Sequence, residues 1–280
     1  MLHYIDHKKM GRGSHGWLDS HFHFSFAEYY NPDNIRFGIL RVLNDDIVQP
    51  GQGFDVHPHR DMEIISYVVQ GELSHKDSMG NAHTLTRGQF QYMSAGTGVM
   101  HSEYNCGAGE LRFMQMWIFP DKKGYKPNYG DYRFAWEDRV GRWLPVASAY
   151  ENAASTAPIR IHADADVYVA ALSSGESISF SATPDRQAYL VLKEGGAKVG
   201  SGEAVNKAGG AKVDGGEADN KVGGEAGSII LTERDALEIV KQDVTITADG
   251  SAHLYLIDMP YDDTCYKEKY GDSEILRNGA

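Results

Sequence analysis

A chain of 280 residues with 41% hydrophobic and 24% charged residues has the composition of a globular protein, long enough for two cores or one large barrel. Its formal net charge of -12 repels phosphate backbones and anionic lipid, and no basic cluster denser than His7-Lys8-Lys9 offsets it, so neither direct nucleic-acid binding nor membrane association is expected. Two distant cysteines, Cys106 and Cys265, and the lack of an apolar leader or of any apolar run near 18 residues point to a reducing cytoplasm without disulfides or a membrane span.

The first distinctive stretch is "DSHFHFSFAEYY". His21 and His23 share one face of an extended segment, with Phe22, Phe24 and Phe26 on the other. No second polar pair lies near them in sequence, so they read as structural or surface histidines. Short alternating runs follow, among them "IRFGILRVL", "EIISYVVQGEL", "HTLTRGQFQYM" and "LRFMQMWIF", separated by Gly, Asn and Asp clusters. Runs of this length and period are strands of an all-β barrel or sandwich. "DSMGN", from Asp77 to Asn81, is turn chemistry and predicts a hairpin.

After a connector from about Trp143 to Pro158 the same pattern resumes with "IRIHADADVYVAAL", "SISFSA", "QAYLVL", "GSIILTE", "ALEIVKQDVTITA" and "SAHLYLIDMP". Two tandem β domains, residues 1–145 and 146–260, are the simplest account. Within the second, "GGAKVGSGEAVNKA" (195–208) recurs as "GGAKVDGGEADNKV" (209–222), a tandem repeat of period 14. Each unit offers only a Val and a few Ala, too little for a stacking ridge, so residues 195–227 read as a mobile surface loop inserted into one hairpin. The polar tail 261–280 is expected on the surface or as a short helix.

Two histidines bracket a proline in "GQGFDVHPHRDMEIISYVVQG" (Gly51–Gly71). On a strand, residues i and i+2 share a face with Cα atoms roughly 6.6 Å apart, so His57 and His59 can aim two imidazoles at one point. Pro58 lacks an N–H and places the segment at a strand edge, start or bulge. "MSAGTGVMHSEYN" supplies a parity-matched second pair, His101 and Glu103, behind glycines that allow a tight turn. Three imidazoles and a carboxylate give a divalent ion four protein ligands. An octahedral ion would keep two positions open, which suits Fe(II) binding of substrate and oxygen better than a closed structural zinc site. The net charge of about +1 would attract an enolate or phenolate oxygen, and below about pH 6.5 protons should compete for the histidines. Glu63 shares parity with His57 and His59 if its strand is unbroken, so the residues alone leave Glu63 and Glu103 as equal candidates for the carboxylate ligand.

These stretches, with "GQFQYMSAGTGVMHSEYN" and the N-terminal "HGWLDSHFHFSFAEYYNP", resemble the pirin family of the cupin superfamily, closely across about residues 14–120 and more weakly, through domain order and "LYLIDMP", beyond. The resemblance implies a bicupin: two β-barrels face to face, with metal only in the N-terminal one. It implies His57, His59, His101 and Glu103 as ligands to one divalent ion, Fe(II) first and Zn, Mn, Ni, Co or Cu as alternatives, and moves Glu63 to a supporting position. The second half, retaining only His162 and His253, would lack ligands for another metal. The implied activity is that of a quercetin 2,3-dioxygenase, in which an aromatic substrate and O2 give a depside and carbon monoxide, with Glu103 a candidate base for the flavonol 3-hydroxyl. Phe54 and Met93 are candidate apolar pocket residues that do not specify a ligand. Two other functions follow from the same resemblance: an iron-dependent redox-sensing regulator acting through a protein partner, or a dioxygenase of another enolisable small molecule. The 14-residue repeat departs from the family pattern.

Overall fold

The computed structural model describes residues 1–201 and 228–270. The described residues form three sheets. A seven-stranded sheet runs in the order Asn128–Tyr132, Phe90–Ser94, Glu63–Gln70, Leu111–Ile118, Leu40–Val48, Leu18–Phe22, Gly11–Ser14. A four-stranded sheet, Gly53–His59, Val99–Tyr104, Glu72–Asp77, Ala82–Thr86, completes the N-terminal barrel. A nine-stranded sheet forms the C-terminal barrel around its long strands Arg186–Ser201 and Asp243–Pro260. The architecture is an all-β bicupin, with one α-helix among the described residues, Asp263–Tyr270. No described helix is long and apolar enough to cross a membrane.

The period of two decides which side chains meet. Along Glu63–Gln70, Ile65, Tyr67 and Val69 join Met114, Met116 and Ile118 of the neighbouring strand in a core shared with Val167, Val169, Tyr189, Val191, Tyr255 and Ile257 of the second barrel. The alternate residues face the interior of the first barrel, where Val68 packs with Phe113 and Ile64 with Trp117. Both faces are therefore buried, which is why "EIISYVVQ" reads as a continuous apolar run rather than a clean alternation. Each such aliphatic side chain removed from water stabilises the pairing of barrels by about 1.5–3 kcal/mol.

The expected domain limits differ from the structure at both ends of the first domain. The opening strand Leu2–Ile5 pairs with Ala236–Val240 and belongs to the C-terminal sheet. Leu144–Ala149, inside the expected connector, is a strand paired with Asp166–Leu172 and Ile159–Ile161. The repeat also begins differently: Gly195–Ser201 continues the strand Arg186–Ser201, with Ala197 and Val199 buried and paired to Ile229–Thr232. The expected hairpin is thus present, built partly from the first repeat unit, while residues 202–227 lie outside the described residues. In the tail, the helix Asp263–Tyr270 docks Cys265 and Tyr266 into the protein beside an Arg36–Asp262 ion pair of 2.6 Å; residues 271–280 lie outside the described residues.

Candidate metal centre

Gly53–His59 is the edge strand of the four-stranded sheet, where the missing N–H of Pro58 breaks no ladder. It pairs antiparallel with Val99–Tyr104, setting His57 opposite His101 and His59 opposite Val99. The glycines before the second strand make its approach possible: Gly96 has φ +42°, and a Cβ there would stand 2.0 Å from the Tyr125 carbonyl oxygen. The result is a triangle of imidazoles, with ring centroids 4.9 Å apart for His57–His59, 4.4 Å for His57–His101 and 4.8 Å for His59–His101. One nitrogen from each lies within 4.8 Å of the others.

The donor set fits a cation. Nε2 of His59 and Nε2 of His101 are buried and have no hydrogen-bond partner among the described residues. Stranding two polar nitrogens costs free energy unless something accepts their lone pairs, and a metal ion does so. His57 Nδ1 is 2.7 Å from the Asp55 carbonyl oxygen, so that nitrogen donates and Nε2 carries the lone pair. His57 is only partly buried and forms the open side of the triangle, while the Trp117 ring stands edge-on to His59 at 4.7 Å and closes another.

Glu103 is buried beside His101, and its carboxylate groups with His101 and His75 within 4.8 Å rather than with His57 and His59. Its Oε1 accepts from Gln91 Nε2 at 2.6 Å and Ser66 Oγ at 3.3 Å, and its Oε2 accepts from Gln115 Nε2 at 2.7 Å. By lone-pair count Oε1 is saturated and Oε2 keeps one free direction, for a cation or a proton but not both. The strand-pairing register places Gln91, Ser66 and Gln115 in one row across three strands, a polar floor for Glu103.

Glu63 stands apart from the imidazoles. The parity count fails because Asp61, at φ +50°, breaks the strand and sends Glu63 into the seven-stranded sheet. There its carboxylate accepts from Ser94 Oγ at 2.6 Å and the His162 backbone N–H at 3.2 Å, tying the barrels together. Phe54 pairs in register with Glu103 and packs edge-on against Trp17 and Phe113. Met93 is buried with Ile64 and Val99 next to Trp117. His21 and His23 are buried and belong to no such ligand cluster among the described residues; His23 Nδ1 meets the Tyr189 hydroxyl at 3.0 Å across the barrel interface. In the second half, His253 is held by the Tyr67 hydroxyl at 3.1 Å and Glu194 at 2.7 Å. The residues not anticipated from sequence are His75, Gln91 and Gln115, polar residues buried within otherwise strand-like runs.

Burial gives the metal-free protein a steep acid limit. It lowers the pKa of His21 to about 4 and of His23, His59, His101 and His253 to about 3. An unfolded chain protonates these rings near 6.5, so their contribution to stability is complete above that pH and is lost as pH falls toward 3. Asp46 and Asp258, raised by burial to about 7 and about 6, work in the opposite sense, losing stability as pH rises through those values. The histidines outnumber them, so unfolding takes up protons between pH 7 and pH 5 and the metal-free protein loses stability as the pH falls through that range. Denaturant titrations of metal-free protein at pH 7, 6 and 5 should show this fall; equal stability at the three values would contradict it.

Sequence comparison places this geometry in a known setting. The family signature described as Pirin matches residues 5–118, and that described as the quercetinase C-terminal cupin domain matches residues 146–259. The chain is 43% identical to a pirin-like protein of Caulobacter vibrioides over 70% of its own length and 84% of that protein's. It is 41% identical to a quercetin 2,3-dioxygenase of Escherichia coli over 68% and 80% of the respective lengths. Among solved structures it is similar to the bacterial pirin YhhW of Escherichia coli in complex with nickel(II), with a TM-score of 0.77, 34% identity, and coverage of 94% of this chain and 100% of that one. The two matched halves, the bicupin fold and these similarities together identify the chain as a member of the pirin family.

Proposed function

We propose that this chain is a metal-dependent dioxygenase that opens a flavonol such as quercetin with O2, releasing a depside and carbon monoxide. The observation that carries the reading is the triangle of His57, His59 and His101, two of its buried nitrogens without a partner among the described residues, with Glu103 buried alongside. The 41% identity to a protein named quercetin 2,3-dioxygenase supports the same substrate class.

His57, His59, His101 and Glu103 would hold one divalent ion, taken here to be Fe(II), and that ion would supply a Lewis acid for the flavonol 3-oxygen and a centre for O2 chemistry. The residues do the rest. The partly exposed His57 side gives the substrate its entrance. Trp117, edge-on to His59 with Met93 packed behind it, would supply an apolar wall, and Phe54, in register with Glu103, is the candidate for a second. The free direction on Glu103 Oε2 would receive the 3-hydroxyl proton, a role that this oxygen cannot combine with holding the ion.

The test is anaerobic reconstitution with Fe(II), addition of quercetin, admission of oxygen and measurement of carbon monoxide. Carbon monoxide should form in step with quercetin loss and be absent from His101→Ala. Equal traces from both proteins would sink the reading.

A further inference from the structure

His75 lies on Glu72–Asp77, the strand on the far side of Val99–Tyr104 from His57, in register with Glu103. Its side chain is fully buried, and its ring stacks on Tyr129 with centroids 4.4 Å apart and planes inclined by 13°. That contact fixes the ring plane, and the two nitrogens then have different neighbours. Nε2 stands 3.3 Å from Asp77 Oδ2, and Nδ1 stands 3.5 Å from His101 Nδ1.

The protons along this row can be assigned from the outside inward. Asp77 is locked by the turn that follows it: Oδ1 accepts the backbone N–H of Met79 at 2.9 Å and of Asn81 at 3.0 Å, and Oδ2 accepts the Asn81 amide at 2.8 Å. Burial opposes its charge, but the hydrogen bonds from Asn81, His75 and Met79 outweigh burial and hold the carboxyl below its usual range. A carboxylate only accepts, so Nε2 of His75 carries the proton between them. In the neutral ring Nδ1 is then a lone pair. Two facing lone pairs would repel, so Nδ1 of His101 is the N–H. The remaining nitrogen of His101, the buried Nε2 without a partner among the described residues, is left as a lone pair in the triangle with His57 and His59.

We infer that Asp77 and His75 are a positioning pair that sets His101 in the Nδ1–H tautomer and so presents its Nε2 lone pair to the metal. The inference rests on the metal reading of the three histidines. His57 reaches the same end through the Asp55 carbonyl; His101, inside the sheet, reaches it through a second imidazole anchored by the "DSMGN" turn. Outer partners of this kind, which fix the tautomer and orientation of a ligating imidazole, typically change metal affinity 10–100-fold when removed.

Zn(II) is the probe, with its dissociation constant measured by competition against a chromophoric chelator. His75→Phe keeps a flat ring on Tyr129 but offers no acceptor, and it should weaken Zn(II) binding by about 10–100-fold. His75→Asn, whose side-chain oxygen can stand where Nδ1 stood, should recover most of that loss, which a merely structural role for the ring would not predict. Long-range 1H–15N correlation spectra of the metal-free wild-type protein should show His101 protonated at Nδ1. Unchanged affinity in His75→Phe, no recovery in His75→Asn, or an Nε2–H signal for His101 in the wild type would each overturn the inference, the last without any variant having to fold. His57→Ala separates the two readings. Loss of Zn(II) there, with wild-type affinity in His75→Phe, removes the positioning role and leaves the metal centre standing; full Zn(II) binding by His57→Ala overturns the metal reading and this inference with it.

Discussion

Asp45→Ala should destabilise the protein by about 3–5 kcal/mol, because it removes the anion from a buried charge network that joins the two barrels. Asp45 is 2% exposed and accepts two bonds from Arg112, at 2.8 Å from Nε and 2.6 Å from Nη2, and a third from Arg234 Nε at 3.1 Å. Burial works against its charge, yet the bonds and attraction of Arg112, with Arg234 beside it, hold its carboxyl below the usual range. Arg112 comes from the first barrel and also reaches the Lys193 carbonyl at 3.0 Å and Glu233 at 2.5 Å in the second. Without Asp45 the buried guanidinium of Arg112 loses two charge-assisted bonds that water cannot fully replace. The expected loss corresponds to a fall in Tm of roughly 6–20 °C for a chain of this size, readable by calorimetry on metal-free protein. The double replacement Asp45→Leu with Arg112→Met should recover much of it, since apolar groups of similar volume carry no desolvation penalty and Arg234 is exposed enough to turn to water. A single-variant loss under 1 kcal/mol would show that this charge network contributes little to holding the two barrels together.

That lock was not legible in the sequence, and the reason is general to this fold. Asp45 and Arg234 are 189 positions apart, and the opening strand Leu2–Ile5 meets its partner at Ala236–Val240, so no local pattern encodes either contact. Local features fared better. The alternation about Pro58 and about Ser102 placed His57, His59 and His101 on facing strands, because side-chain parity is a property of one strand and survives without knowledge of the rest. Parity carried too far misleads: counting through Asp61, whose left-handed backbone ends the strand, brought Glu63 wrongly into line with the histidines. Gln91 and Gln115 carry no local signal, because each is a polar residue in a run that reads as core. Their meaning lies in register, which sets both beside Ser66 under Glu103. In the repeat, the spacing of Ala197 and Val199 already had strand period, but its glycines outweighed that signal in the reading of composition.

Glu103→Gln should slow carbon monoxide release by about 10²–10⁴-fold, the range expected when a positioned general base is lost. The substitution keeps the shape but not the pattern of donors. Glu103 accepts from Gln91 on one oxygen and from Gln115 on the other, so an amide at this position must turn its own NH2 toward one of those NH2 groups. Neither neighbour can flip without loss: Gln115 Oε1 accepts the Trp117 indole N–H at 3.0 Å, and Gln91 Oε1 accepts the Tyr129 hydroxyl at 3.3 Å. The amide is therefore displaced as well as uncharged, and a bound divalent ion with three imidazoles would be left about one charge more positive. Metal affinity should fall with the rate, and the two can be separated by assaying at saturating Fe(II), where a residual loss of turnover reports the missing base. Glu63→Gln is the matched control. Its bonds to Ser94 and the His162 N–H lie away from the imidazoles, so it should keep metal and turnover while losing about 1–3 kcal/mol of stability. The reverse pattern, metal retained in Glu103→Gln and lost in Glu63→Gln, would show that the carboxylate serving this centre is Glu63, reached through a rearrangement of the chain at Asp61.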